Sequence, residues 1–313
     1  MSSAVSFLCD YLKATYDRKK YTPETRPEKY AGKKRLTLQQ GNDYIAELLN
    51  NPQPCMIARY GSSELSILKW SLAKKYRIVK EFADGEMHNI TNNAGFFPKD
   101  QDLVQKFAEL MFELSSEVDL LGVFYWQMEE HIVKNYAPQA TLVRARGIEP
   151  WYVDRPWTSA LKDKKVLVIH PFEDTIKKQF EKREMLFPSS DMLPEFELKT
   201  LKAVQTIAGE KDPRFGNWFE ALDYMYNEAM KIDFDVAIIG CGAYGFPLAA
   251  KLKQAGKKAI HLGGATQYLF GIKAKRAEDG NHIILKYYND AWSRPSEDEK
   301  PKKFKNVEGG CYW

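Results

Sequence analysis

The segment from Asp235 to Leu262 constrains the fold more than any other. Asp235-Val-Ala-Ile-Ile239 is an apolar run of strand length, residues 240–245 form a glycine turn, and residues 246–255 repeat at helical spacing. Gly256 then caps the helix, and Lys258-Ala-Ile-His-Leu262 reads as a second strand. A strand–helix–strand unit of this kind demands parallel pairing and a right-handed crossover. Parallel sheets bury both faces under helices, so the chain belongs to the α/β class.

Other segments extend the sheet. Cys55-Met-Ile-Ala58, residues 120–125, Thr141–Arg144 and Lys165-Val-Leu-Val-Ile-His170 read as strands, the last closed by Pro171. Residues 196–207 contain one more. Helical spacing covers 38–50, stopped by Pro52 and Pro54, and also 101–118, 176–186 and 218–230, with a further helix beginning at 64–70. The expected architecture is a Rossmann-like, mostly parallel sheet flanked by helices. Residues 1–50 form a helical basic region, 51–277 the α/β domain, and 278–313 an irregular tail that packs on it.

Composition narrows the class further. The 313 residues are 44% hydrophobic, 28% charged and 13% aromatic, an ordinary globular balance that excludes a disordered or fibrous chain. A net charge of +4 is too small to argue for nucleic acid. Between Lys13 and Arg35 stand nine Lys/Arg against Asp17, Glu24 and Glu28. This reads as a solvated helix and loop, or as a patch steering toward phosphates or an anionic membrane face. Cys9, Cys55, Cys241 and Cys311 fit neither a zinc site nor a disulfide framework. No apolar run suits a signal peptide or a membrane span. The expectation is a cytoplasmic protein with at most peripheral contact at the inner face of the membrane.

Three motifs sit at strand ends. Gly240-Cys-Gly242-Ala-Tyr244-Gly245 has GxGxxG spacing between a strand and a helix, a place where backbone N–H groups meet phosphate or carboxylate. The plain alternative is a tight turn that binds nothing. A dinucleotide fingerprint also needs an acid about 20 residues on. Here His261-Leu262-Gly263-Gly264 follows instead, which counts against both NAD and S-adenosylmethionine. Gly263 and Gly264 make a second glycine turn at the neighbouring strand end. Arg59-Tyr60-Gly61-Ser62-Ser63-Glu64 leaves another strand and opens a helix. Ser62 or Ser63 is placed to cap that helix, Arg59 offers a fork suited to phosphate, and Glu64 either binds a ligand or completes the cap. His170-Pro171-Phe172-Glu173 ends the most apolar strand, where His170 serves catalysis or simply structure. Asp84-Gly85-Glu86 offers two carboxylates on a turn, suited to a hard cation or merely solvated. His131 is ambiguous, and the aromatic run Trp151, Tyr152, Trp157 reads as core.

Taken in order, these motifs resemble the GT-D-fold glycosyltransferases, bacterial enzymes of surface-polysaccharide and adhesin glycosylation. The likeness spans roughly residues 55–276. The family's Arg-aromatic-Gly-Asp-Gly-Glu run is matched at Arg59, Gly61 and Glu64, while Ser62 stands at the Asp position and Ser63 at the second Gly. The resemblance implies transfer of a sugar from a nucleoside-diphosphate sugar to a glycan or lipid-linked acceptor, in bacterial surface polysaccharide synthesis such as capsule or O-antigen. Arg59, Gly61, Ser62, Ser63, Gly240, Gly242, Tyr244, Gly245, Gly263 and Gly264 would bind the donor. Glu64, His170 and Glu173 are the candidate catalytic residues. A divalent cation, manganese or magnesium, would be held through Glu64, and Ser62 leaves that site short of a carboxylate. The rival readings are an S-adenosylmethionine methyltransferase or NAD enzyme, and a non-catalytic nucleotide- or glycan-binding module.

Overall fold

The computed structural model describes residues 3–22, 25–126, 128–188, 190–280 and 282–313. A short antiparallel pair, β1 (Lys29–Tyr30) and β2 (Lys33–Lys34), precedes the main sheet. That sheet has seven strands: β3 (Cys55–Ala58), β4 (Leu120–Val123), β5 (Thr141–Arg144), β6 (Lys165–His170), β7 (Glu197–Lys202), β8 (Val236–Ile239) and β9 (Lys258–His261). Their order is β5-β4-β3-β9-β8-β6-β7, and every neighbouring pair is parallel.

The helices are α1 (Ser3–Lys20), α2 (Leu38–Asn50), α3 (Ser62–Lys75), α4 (Asp84–Asn92), α5 (Gln101–Leu114) and α6 (Glu129–Tyr136). They continue with α7 (Glu173–Phe180), α8 (Arg183–Leu186), α9 (Trp218–Met230), α10 (Gly245–Gln254), α11 (Thr266–Leu269) and α12 (Lys275–Asp279). None of the helices among the described residues is long and apolar enough to cross a membrane.

Side chains alternate across the sheet, and each strand feeds two cores. Met56, Ala58, Leu167 and Ile169 join α3, α5, α9 and α10 on one face. Cys55, Ile57, Val166 and Val168 join α2, α7, α8 and the C-terminal segment on the other. Burial on both faces explains why the central strands are continuously apolar.

Chain direction places the site. From β6 the chain moves outward to β7, whereas from β8 it moves inward to β9. The two crossovers part between β6 and β8, and open α/β sheets bind ligands in the crevice at that divergence.

Several boundaries differ from the sequence reading, each for a local reason. The strand expected at 120–125 stops at Val123, because the buried Glu129 carboxylate accepts the N–H groups of Phe124 and Tyr125 and turns the chain. Tyr125 there sits at φ 62°. The helix expected at 101–118 tightens into a 3₁₀ turn at Ser115–Glu117. The helix expected at 176–186 starts at Glu173 and is split into α7 and α8. The helix after β3 begins at Ser62 with Gly61 as its cap, so neither serine caps it through a side chain. Glu86 accepts from Ser66 and Asp84 pairs with Lys99, both in the first turn of α4. His131 is taken by Asp10 at 2.7 Å, and Trp151 and Trp157 are core.

The C-terminal segment lies along the body. Asn92 Nδ2 donates to the Asn306 carbonyl at 2.9 Å, Arg276 N–H to the Cys311 carbonyl at 2.9 Å, and the Trp313 ring meets Phe172.

Candidate functional site

The carboxyl ends of β3, β6, β8 and β9 open into one cavity of about 370 Å³. Its wall contains Arg59, Gly61, Ser62, Ser63 and Glu64 from the loop and helix after β3. His170 comes from β6, Gly240, Gly242 and Tyr244 from the turn after β8, and Gly263 and Gly264 from the turn after β9. Parallel strands put all their carboxyl ends on one edge, so residues far apart in sequence converge there.

Arg59 is held on three sides. Its guanidinium lies 5.3 Å from the Phe124 ring, 3.9 Å from Glu149 Oε1, and against Gly263, where a Cβ would come within 2.6 Å of it. Gly263 also has φ 64°, so a side chain there is excluded by backbone and space alike. Glu64 is buried, and burial raises its pKa against the pull of its own backbone N–H and of Arg59. Its carboxylate folds back onto Gly61, where a Cβ would sit 2.0 Å from Oε2.

His170 is buried, and burial lowers its pKa to about 3. Nδ1 accepts the Phe172 N–H at 3.0 Å, which leaves the ring proton on Nε2. The neutral ring is therefore a hydrogen-bond donor at Nε2 and a poor base. His261, which the motif reading passed over, lines the same cavity and is also lowered to about 3, by burial and then by Arg59.

The glycine turns work differently from an open phosphate cradle. Gly240 N–H is spent on the Ile169 carbonyl and Ala243 N–H on the Ala94 carbonyl. A Cβ at Gly240 would lie 2.7 Å from the Gly263 carbonyl oxygen, from His170 Cδ2 and from Thr266 Oγ1. These glycines let three strand ends pack together behind the cavity. Tyr244 stacks on Trp218 at 5.0 Å and shares a hydrogen bond with Thr206. Cys241 is buried, which pushes its thiol up and keeps it protonated.

Two residues fall outside the wall. Glu173 accepts from Thr200 Oγ1 at 2.6 Å and pairs with Lys177 at 2.9 Å, so its carboxylate turns toward β7. Gly245 starts α10 against His261 Nδ1 rather than facing the cavity. The structure also adds residues that no local motif announced. Arg276, Glu308 and Tyr312 also line the cavity. Arg276 lies 4.7 Å from the Tyr312 ring and pairs with Glu308. Trp126 stacks on Phe124 at 4.6 Å and stands at the rim, more than a third exposed.

Among the described residues no three of His, Cys, Asp and Glu gather in one place. The cavity carboxylates are Glu64, folded onto Gly61, and Glu308, paired with Arg276.

Two solved structures are similar to this chain. One is described as showing that the highly conserved domain of unknown function 1792 has a distinct glycosyltransferase fold. It is 13% identical, covers 86% of this chain and 93% of that one, and gives a TM-score of 0.44. The other is a selenomethionine-substituted structure of the same domain, at 14% identity, 83% and 96% coverage, and a TM-score of 0.35. No family model matches the chain, and neither does any curated protein.

Proposed function

We propose that the protein is a glycosyltransferase that takes its sugar from a nucleoside-diphosphate donor. The observation that carries this reading is a pair of guanidinium groups, Arg59 and Arg276, facing one cavity at the divergence of the sheet beside a buried carboxylate, Glu64. Guanidinium forks match diphosphate oxygens and stabilise the charge that develops as the leaving group departs. In this reading the diphosphate displaces Glu308 from Arg276, and no cation is needed to balance it.

Of the three candidate bases, Glu64 fits best, since His170 is held neutral and Glu173 is turned away. The acceptor hydroxyl oxygen bonds to the anomeric carbon, the bond from that carbon to the diphosphate oxygen breaks, and the hydroxyl proton passes to Glu64. A base with a raised pKa is better matched to a neutral working pH. His170 donates through Nε2 to a sugar or phosphate oxygen.

A thermal-shift screen of nucleoside diphosphates, nucleotide sugars, S-adenosylmethionine and NAD tests the reading, with and without manganese. A ligand that binds only the folded chain at 100 times its dissociation constant adds about 2.7 kcal/mol. One nucleoside diphosphate is expected to raise the melting temperature equally in either buffer, and Arg59→Ala to remove the shift. A shift with S-adenosylmethionine or NAD alone would overturn the assignment.

A further inference from the structure

A second cavity shares the Ser62 and Trp126 wall of the first and is lined on its far side by Arg18, Tyr21, Arg26 and Lys69. No carboxylate lines it. Among the described residues none of these three cations has a carboxylate in ion-pair reach, and Arg26 Nε is buried with no hydrogen-bond partner. Three positive groups around one hollow, with a buried donor left unsatisfied, suit an anion of phosphate type.

A separate observation favours a membrane as the source of that anion. Helix α1 seats Phe7 in the core, yet exposes Val5, Leu8, Leu12 and Tyr16, the last two at 68% and 61%. Their spacing of three, four and four residues draws one apolar stripe along the outer face of the helix. The stripe ends in Arg18, Lys19 and Lys20, and Arg18 belongs to the second cavity. A row of exposed apolar side chains ending in three cations offers an anionic bilayer surface both apolar area to bury and charge to attract.

We propose that the second cavity holds the phosphate of a lipid-linked acceptor while α1 rests on the membrane that carries it. This deepens the transferase reading and rests on it. The acceptor hydroxyl then reaches the donor across the wall formed by Ser62 and Trp126.

The test is co-sedimentation of the full chain with phosphatidylcholine vesicles carrying farnesyl phosphate, farnesol or neither. Binding to the phosphate-bearing vesicles is expected to exceed binding to farnesol vesicles by at least about tenfold. The double variant Arg26→Ala, Lys69→Ala should abolish that preference, and Leu12→Glu should abolish vesicle binding. Both substitute residues outside the donor cavity, so both should keep the thermal shift given by a nucleoside diphosphate. A lost shift would indict the donor reading; a kept shift with unchanged vesicle binding overturns this one. Equal binding to farnesol and farnesyl phosphate also overturns it. So does stabilisation by inorganic phosphate through Arg26 and Lys69 without vesicle binding, which would make the ligand a soluble phosphate. If Leu12→Glu instead turns a dimer into a monomer on size exclusion, the stripe is a self-contact and the membrane role fails.

Discussion

Two histidines end strands of the central sheet, and both are buried neutral. Burial lowers His170 and His261 from 6.5 to about 3. In the unfolded chain each takes a proton below about pH 6.5, while in the folded chain each stays neutral until about pH 3. Stability from these groups is therefore complete above pH 6.5 and is lost as pH falls, at ~1.4 kcal/mol per pH unit for each. Glu129 acts in the opposite sense. Burial raises its carboxyl to about 7, so protonation favours the folded state as pH drops through that range. The parent profile mixes these opposed slopes, and a variant separates them. Relative to the parent, His170→Asn is expected to lose less stability between pH 6.5 and 4, read from urea midpoints. Equal slopes would mean that His170 binds its proton without unfolding. At this scale the sequence told less than the packing does. His170 stood out beside Pro171, yet its neutral state comes from burial and the Phe172 N–H, neither of which is visible in a motif.

Helix α7 shows how an element can be completed from a distance. It begins at Glu173 without a side-chain cap of its own. Glu299, 125 residues beyond Asp174, supplies one, since its buried carboxylate accepts Asp174 N–H at 2.8 Å and Thr175 N–H at 3.3 Å. Thr175 Oγ1 also donates to it. The carboxylate faces the positive end of the helix dipole, and these bonds fasten the C-terminal segment to α7. Local signals therefore placed the start of this helix three residues late, because its cap belongs to another part of the chain. The helix at Leu38–Asn50 was legible to the residue from its apolar spacing and from Pro52 and Pro54 beyond it, and its cap is local too, since Thr37 and Gln40 form a capping box at its start. Glu299→Ala is expected to cost about 2–3 kcal/mol in urea unfolding, and to speed proteolysis at Lys300, Lys302 and Lys303. Glu299→Gln keeps one acceptor and should lose less. An unchanged midpoint in the alanine variant would place the hold on the C-terminal segment elsewhere.

The whole molecule joins its two halves at one edge of one sheet. Arg59 and Glu64 come from the first half, His170, Gly240 and Gly263 from the second, and Arg276 and Tyr312 from the chain that follows β9. The first two sets were legible because short motifs end apolar strands, and parallel strands gather their ends. The third set was not: Arg276 stands in no motif, and Tyr312 belongs to residues 278–313, which have no periodicity to say where they return. Glu173 misled for the converse reason: it neighbours His170 in sequence, but the first turn of α7 carries its carboxylate round to Thr200 on β7. A ligand that occupies this cavity must touch all three sets, and hydrogen exchange can show whether it does. With a saturating nucleoside diphosphate, exchange is expected to slow together in residues 59–64, 240–244, 263–267 and 308–313, while α1 keeps its rate. These segments share no continuous element, so joint protection requires a ligand that bridges them. Protection confined to 240–244 and 263–267 would describe a mononucleotide held by the second half alone. Arg59 would then be a structural partner of Glu149 and Phe124, and a sugar transferred across the cavity would have no cation from β3 to stabilise its leaving group.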